Sequence, residues 1–169
     1  AIGGAGADSV SGDIGADIIV GDNGVIDYSI DGDTSTLDLV ATTDTEVEGS
    51  DTLNGGDGAD ISMGGAGDDS VSGGTGNNIS LGDNGQVTLT DNEITRVETT
   101  ATGVGGNDSI SGDTGNDIAL GGAGDDTITD SAGENILLGD EGVVVGADGS
   151  DEANDVYSTN PDNGGEDTI

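Results

Sequence analysis

Cysteine, histidine, phenylalanine, tryptophan and lysine are all absent from this chain, and each absence removes a class of explanation. Without cysteine no disulfide can hold the fold, and without phenylalanine or tryptophan no aromatic-rich core can form. Zinc, copper and haem lose their thiolate and imidazole ligands. The familiar nucleophile–base pairs of covalent catalysis are missing for the same reason. The single basic residue, Arg96, cannot neutralise a row of phosphates, which excludes nucleic-acid binding by counterion release. No apolar run approaches the roughly 20 residues of a membrane-spanning helix.

What is present is carboxylate and glycine. Against that one arginine stand 36 acidic residues, for a formal charge of -35, alongside 35 glycines. Such self-repulsion opposes a compact state unless something neutralises it. The ordinary reading of this composition is a disordered acidic tail. The apolar residues argue otherwise, because they recur at a fixed interval.

That interval is nine residues, in the pattern Gly-Gly-x-Gly-x-Asp-x-apolar-x. Three copies run unbroken from Gly55 to Leu81 (GGDGADISM, GGAGDDSVS, GGTGNNISL). The frame also holds over 3–20 and 112–138, with partial units ending at Asn54, Ser111 and Ile169. A Gly-Asp-x-Gly punctuation recurs at VGDNG (Val20 to Gly24), LGDNG (Leu81 to Gly85) and LGDEG (Leu138 to Gly142). It divides the chain into three blocks, 1–48, 49–104 and 105–169, read as one continuous array suited to a single domain. Both ends fall in mid-repeat, so the expectation is a window on a longer array or one segment of a filament.

Each block carries an insert. Val25 to Ile30 and Thr36 to Val40, joined by Asp31-Gly32-Asp33, read as a β-hairpin, as do Gln86 to Thr90 and Ile94 to Thr99 around Asp91-Asn92-Glu93. The third begins Val143-Val144-Val145 and passes into GADGSDEAND, expected as a looser loop. No segment has helical periodicity, so the chain is all-β.

The nonapeptide itself predicts strands of about three residues, each stacked in parallel on the one 18 residues away. Parallel neighbours lie about 4.8 Å apart, and the turns must stack at that spacing too. Glycines at the first, second and fourth places allow positive φ and close backbone approach. The sixth-place carboxylates then form columns, with turn carbonyls facing the same gaps. Calcium takes 6–8 oxygens at about 2.3–2.6 Å, whereas magnesium demands a tighter octahedron. The candidate metal ligands are Asp8, Asp17, Asp51, Asp60, Asp69, Asp108, Asp117, Asp126 and Asp167. Asn78 and Asn135 hold the same place and are expected to offer a carbonyl oxygen. The punctuation residues Asp22, Asp83 and Asp140 are expected to close the last site of each block. Any one of these aspartates alone would read as a turn-former satisfied by its own backbone; nine in frame read as multiple Ca2+ sites. EF-hand loops are not supported, since no D-x-[DN]-x-[DN]-G run with a following Glu occurs.

Successive strands are of two kinds. Ser/Thr-apolar-Ser/Thr (Ser9-Val10-Ser11, Ser70-Val71-Ser72, Ser109-Ile110-Ser111, Thr127-Ile128-Thr129) should bury its central residue and show hydroxyls outside. Apolar-variable-apolar (Ile18-Ile19-Val20, Ile61-Ser62-Met63, Ile79-Ser80-Leu81, Ile118-Ala119-Leu120, Ile136-Leu137-Leu138) should point its flanking residues outward. Such an outer apolar ladder marks an interface, to be covered by the inserts or by a neighbouring roll or chain.

In these nonapeptides the chain resembles the repeats-in-toxin (RTX) family of secreted bacterial proteins. The resemblance covers about half the residues and leaves the inserts outside. It implies a right-handed parallel β-roll with calcium bound in the turns, export in an unfolded state, and folding outside the cell where calcium is abundant. The reading is thus a non-catalytic structural segment of an extracellular adhesin, matrix protein or surface filament, associating with itself end to end or laterally. The alternatives are an accessory module of a secreted enzyme, or a glycan- or ice-binding adhesin module.

Overall fold

The structure, a computed structural model, describes residues 1–46, 49–146, 156–160 and 164–169. The described residues contain no α-helix, and hence none long and apolar enough to cross a membrane. They form three sheets, and the two kinds of strand sort into two of them.

The Ser/Thr-flanked strands make a parallel sheet of β1 (Ser9–Ile14), β5 (Thr52–Asp57), β7 (Ser70–Thr75), β11 (Ser109–Thr114) and β13 (Thr127–Thr129), stacked in that order. The other kind makes a second parallel sheet of β2 (Ile18–Val20), β6 (Ile61–Met63), β8 (Ile79–Leu81), β12 (Ile118–Gly122) and β14 (Ile136–Asp140). The chain passes from one sheet to the other and back, one coil per two nonapeptides. Strands of the first sheet mostly run to six residues rather than three, because the residues that follow the triplet, Gly-Gly or Gly-Asp, also pair with the next coil. Gly56 stacks on Gly74 in this way.

Between the sheets runs a narrow core, one side chain per strand: Leu53, Val71, Ile110 and Ile128 from the first sheet, Ile19 and Ala119 from the second. Ser62 and Ser80 face the same interior and are buried. Branched aliphatics opposite small residues suit the shallow space between two such sheets.

The third sheet settles what covers the outer apolar ladder. It comprises β3 (Gly24–Asp27), β4 (Leu39–Thr42), β9 (Gly85–Thr90), β10 (Glu93–Thr99), β15 (Gly142–Val145) and β16 (Val156–Ser158), antiparallel throughout. It lies against the second sheet, so that Val20, Met63, Leu81 and Leu120 pack with Val40, Val87, Val97 and Val144 in the larger core. Burying each of these side chains contributes on the order of 2 kcal/mol. The β9–β10 turn is tighter than the sequence suggested. Asp91 and Asn92 alone make it, both at positive φ (53° and 63°), the geometry of a two-residue turn matched to strand twist. The pair of β3 and β4 nearest the turn is Asp27 with Leu39, so the link between them is longer than Asp31-Gly32-Asp33. Most of the expected third loop, 147–155, lies outside the described residues.

Hydroxyls stitch successive inserts together. Thr42 Oγ1 accepts from Gly85 N at 3.1 Å, and Thr99 Oγ1 from Gly142 N at 3.0 Å. Each pair is 43 residues apart, so the insert sheet follows the rise of the coils.

Candidate metal-binding edges

The turns stack into two columns, one along each edge of the roll. On the first edge the sixth-place residues are Asp8, Asp51, Asp69, Asp108, Asp126 and Asp167. The backbone N–H of each of the first five donates to Oδ1 of the one in the next coil, at 2.7, 2.7, 2.8, 2.8 and 2.9 Å. These partners are 43, 18, 39, 18 and 41 residues apart. The 18-residue period thus appears only where no insert intervenes. On the second edge the column is Asp17, Asp60, Asn78, Asp117 and Asn135, joined in the same way at 2.8, 3.0, 2.7 and 2.9 Å.

Except in Asp8 and Asp17, which begin the columns, one oxygen of each carboxylate is therefore spoken for. Oδ2 of Asp17, Asp51, Asp60, Asp69, Asp108, Asp117 and Asp126 is buried with no hydrogen-bond partner. A buried acceptor left unmade costs about 1–3 kcal/mol, more when charged, so a column of them is a donor set suited to a cation. Each orphan oxygen lies on the bare face of a first-place glycine. A Cβ on Gly12 would stand 2.7 Å from Asp17 Oδ2 and 2.6 Å from the Gly55 carbonyl oxygen of the next coil. Gly21, Gly55, Gly64 and Gly121 repeat the arrangement, each facing an Asp oxygen and the carbonyl of the next first-place glycine. Any side chain there would fill the space on which the oxygens converge.

Burial also acts on protonation. It is the main cause that lifts the carboxyls of Asp126, Asp69, Asp83 and Asp108 to about 6, 7, 8 and 9, with neighbouring carboxylates adding to it. Asp22, Asp51, Asp60, Asp117 and Asp140 are raised by burial as well. In these crevices a carboxylate needs either a proton or a cation. With no basic side chain facing the columns, a hard divalent ion fits the donor set. Among the described residues no three acidic side chains meet at one point, so an ion must draw on carboxylates and backbone carbonyls together.

The punctuation aspartates occupy an unforeseen place. Gly21-Asp22 and Gly49-Ser50-Asp51 are the two halves of a single nonapeptide, with the first insert looped out between its second and fourth places. Gly82-Asp83 with Gly106-Asn107-Asp108, and Gly139-Asp140 with Gly165-Glu166-Asp167, are split likewise. The halves meet again in space. The Gly21 face meets Asp51 Oδ2, the Gly82 face Asp108 Oδ2 and the Gly139 face Asp167 Oδ2. Asp83 spans the seam, accepting from Gly106 N at 3.0 Å and Ala123 N at 2.5 Å. Asp22 accepts from Ala66 N at 2.8 Å and keeps a buried, unpartnered Oδ1. Asp140 approaches Gly164 in the third seam. All three lie on the first edge.

Asn78, a sixth-place amide, uses both of its polar atoms within the roll. Its Oδ1 accepts the Asp60 N–H, which turns Nδ2 toward its own turn, where it donates to Gly74 O and Gly76 O at 3.1 Å each. Asn135 Oδ1 is likewise taken by Asp117 N.

The family model for the RTX calcium-binding nonapeptide repeat matches residues 1–25, 48–71, 54–89, 102–137, 111–145 and 120–153. The chain belongs to this family. As RTX repeats, its nonapeptides bind calcium at multiple sites. Comparison with curated proteins and with solved structures returned no match. The matched segments take in both edges, whereas β4 and β10 of the insert sheet lie between them.

Proposed function

We propose that this chain is a non-catalytic structural segment of an extracellular bacterial adhesin, matrix protein or surface filament, folded and rigidified by calcium. The column of buried carboxylate oxygens without partners carries this reading. The sixth-place aspartates of both edges, with Asp22, Asp83 and Asp140 at the seams, supply the side-chain ligands, and first-place carbonyls complete them. The coils wind right-handed, as parallel crossovers nearly always do, and the three blocks 1–48, 49–104 and 105–169 form one continuous array. Metal binding and folding are then a single event, which suits a chain exported unfolded and assembled where calcium is plentiful. Self-association into a fibre belongs to the same reading. Among the described residues β3 and β16 are the outer strands of the insert sheet, and strand edges invite further pairing.

A calcium titration followed by circular dichroism and sedimentation tests this. Chelated protein is expected to be coil-like and monomeric, and calcium to produce β signal and assembly. A full β signal in excess chelator refutes the calcium role, and a β signal without any rise in sedimentation refutes self-association.

A further inference from the structure

Asp130 stands where the nonapeptide has its first glycine. At Gly3, Gly12, Gly21, Gly55, Gly64 and Gly121 the bare face meets a carbonyl oxygen from the first place of the next coil. At Gly112 it meets Asp130 Oδ2 instead, together with Asp117 Oδ2, which a Cβ there would approach to 2.9 Å. Both oxygens are buried and accept from no donor group, they lie close enough to share a proton where no cation separates them, and Asp117 as a whole is 4% exposed. Asp130 Oδ1 is held by Ala132 N at 3.0 Å, which aims Oδ2 into the gap. A charged oxygen has entered the gap in the very coil whose sixth place is the neutral Asn135.

The other asparagine of this edge has no such compensation. The three atoms nearest the Gly73 face all belong to the side chain of Asn78. The Asp60 N–H fixes the amide's orientation, because it requires an acceptor and the remaining atom is then an NH2 with two donors. Those donors take the Gly74 and Gly76 carbonyls, so the turn closes on itself.

We propose that Asp117 and Asp130 hold a divalent cation outside the nonapeptide pattern, while the turn at Asn78 closes with its amide in place of one. This rests on the calcium reading above and specifies which second-edge turns it uses.

Equilibrium dialysis against radioactive calcium counts the ions bound at saturation, with circular dichroism confirming that each variant is folded. Asp130→Gly restores the repeat's own residue and Asp130→Asn keeps the shape without the charge. Asp130→Asn is expected to bind one ion fewer than the parent, Asp130→Gly to keep the count, since it returns the turn to the carbonyl arrangement seen at Gly55, and Asn78→Asp to bind one more. If Asp130→Asn keeps the parent's count, the Asp117–Asp130 site does not exist. If Asn78→Asp gains nothing, the amide is not standing in for a cation. A parent chain that binds no calcium overturns the underlying reading along with this one, whereas a parent that binds while Asp130→Asn and Asn78→Asp match it overturns this one alone.

Discussion

The two edges of the roll are built from the same nonapeptide yet carry charge very differently. The first has an aspartate at each of its six sixth-place positions, plus Asp22, Asp83 and Asp140 at second places. The second has three aspartates, two asparagines and the displaced Asp130. The inserts supply the reason for the difference. All three leave from turns of the first edge, so three of its turns are assembled from pieces that are not covalently continuous. Those turns need something else to hold them, and carboxylates that gather backbone N–H groups and a cation do so. The turns of the second edge are unbroken, and there an amide such as Asn78 suffices. Charge is concentrated where chain continuity is lost.

Calcium removal should expose this difference most strongly. In chelator at neutral pH the β signal is expected to vanish. As calcium is withdrawn in steps, hydrogen exchange should release the amides of Asp69 and Asp108 before that of Asn78; simultaneous release would mean that the edges do not differ. Next in size is Gly67→Ala, on the first edge. Gly67 has a φ of 117° and a Cβ there would strike the Gly49 carbonyl, so at least about 3 kcal/mol should be lost at saturating calcium. Gly76→Ala, at 116° against the Gly58 carbonyl on the second edge, should cost as much, since the stacking constraint is common to both. Chemical denaturation measures both.

A smaller effect is expected of Asp108→Asn, which keeps the acceptor for Asp69 N and removes one charge. The calcium midpoint should rise about tenfold, equivalent to about 1.4 kcal/mol. Smallest is the response to acid without metal. Asp126, Asp69, Asp83 and Asp108 hold their protons up to about 6, 7, 8 and 9 in the fold, against 3.8 ordinarily. Groups raised in this way favour the metal-free fold fully below about pH 4, and the benefit fades as pH climbs through 6 to 9. Chelated protein should therefore regain part of its β signal on acidification from pH 9 to 4. A loss of residual signal over that range would contradict the buried first edge.

The coil and its columns were legible in the letters because period nine dictates which residues stack. Ser70, Val71 and Ser72 could be assigned an outside–inside–outside pattern from the triplet alone. The seams were not legible in the same way. Gly21-Asp22 and Gly49-Ser50-Asp51 each look like a scrap, and only contact in space shows them to be one unit. The frame itself held a clue, since Gly49 and Asp51 sit at fourth and sixth places with nothing before them to fill the first. Asp130 was hidden for the opposite reason. A template that expects glycine treats any other residue as a flaw, whereas here the departure brings a carboxylate to the gap. The orientation of Asn78 depends on which neighbour claims its oxygen, and no linear pattern records that.

Because each excursion starts and finishes inside one turn, the spine keeps its pitch whatever length of chain is paid out between Asp22 and Gly49, or between Asp83 and Gly106. The three excursions already differ in length while the coils above and below them remain in step. The coil spacing is thus set by the stacked turns alone, and what an insert must preserve is its cover over Val20, Met63, Leu81 and Leu120.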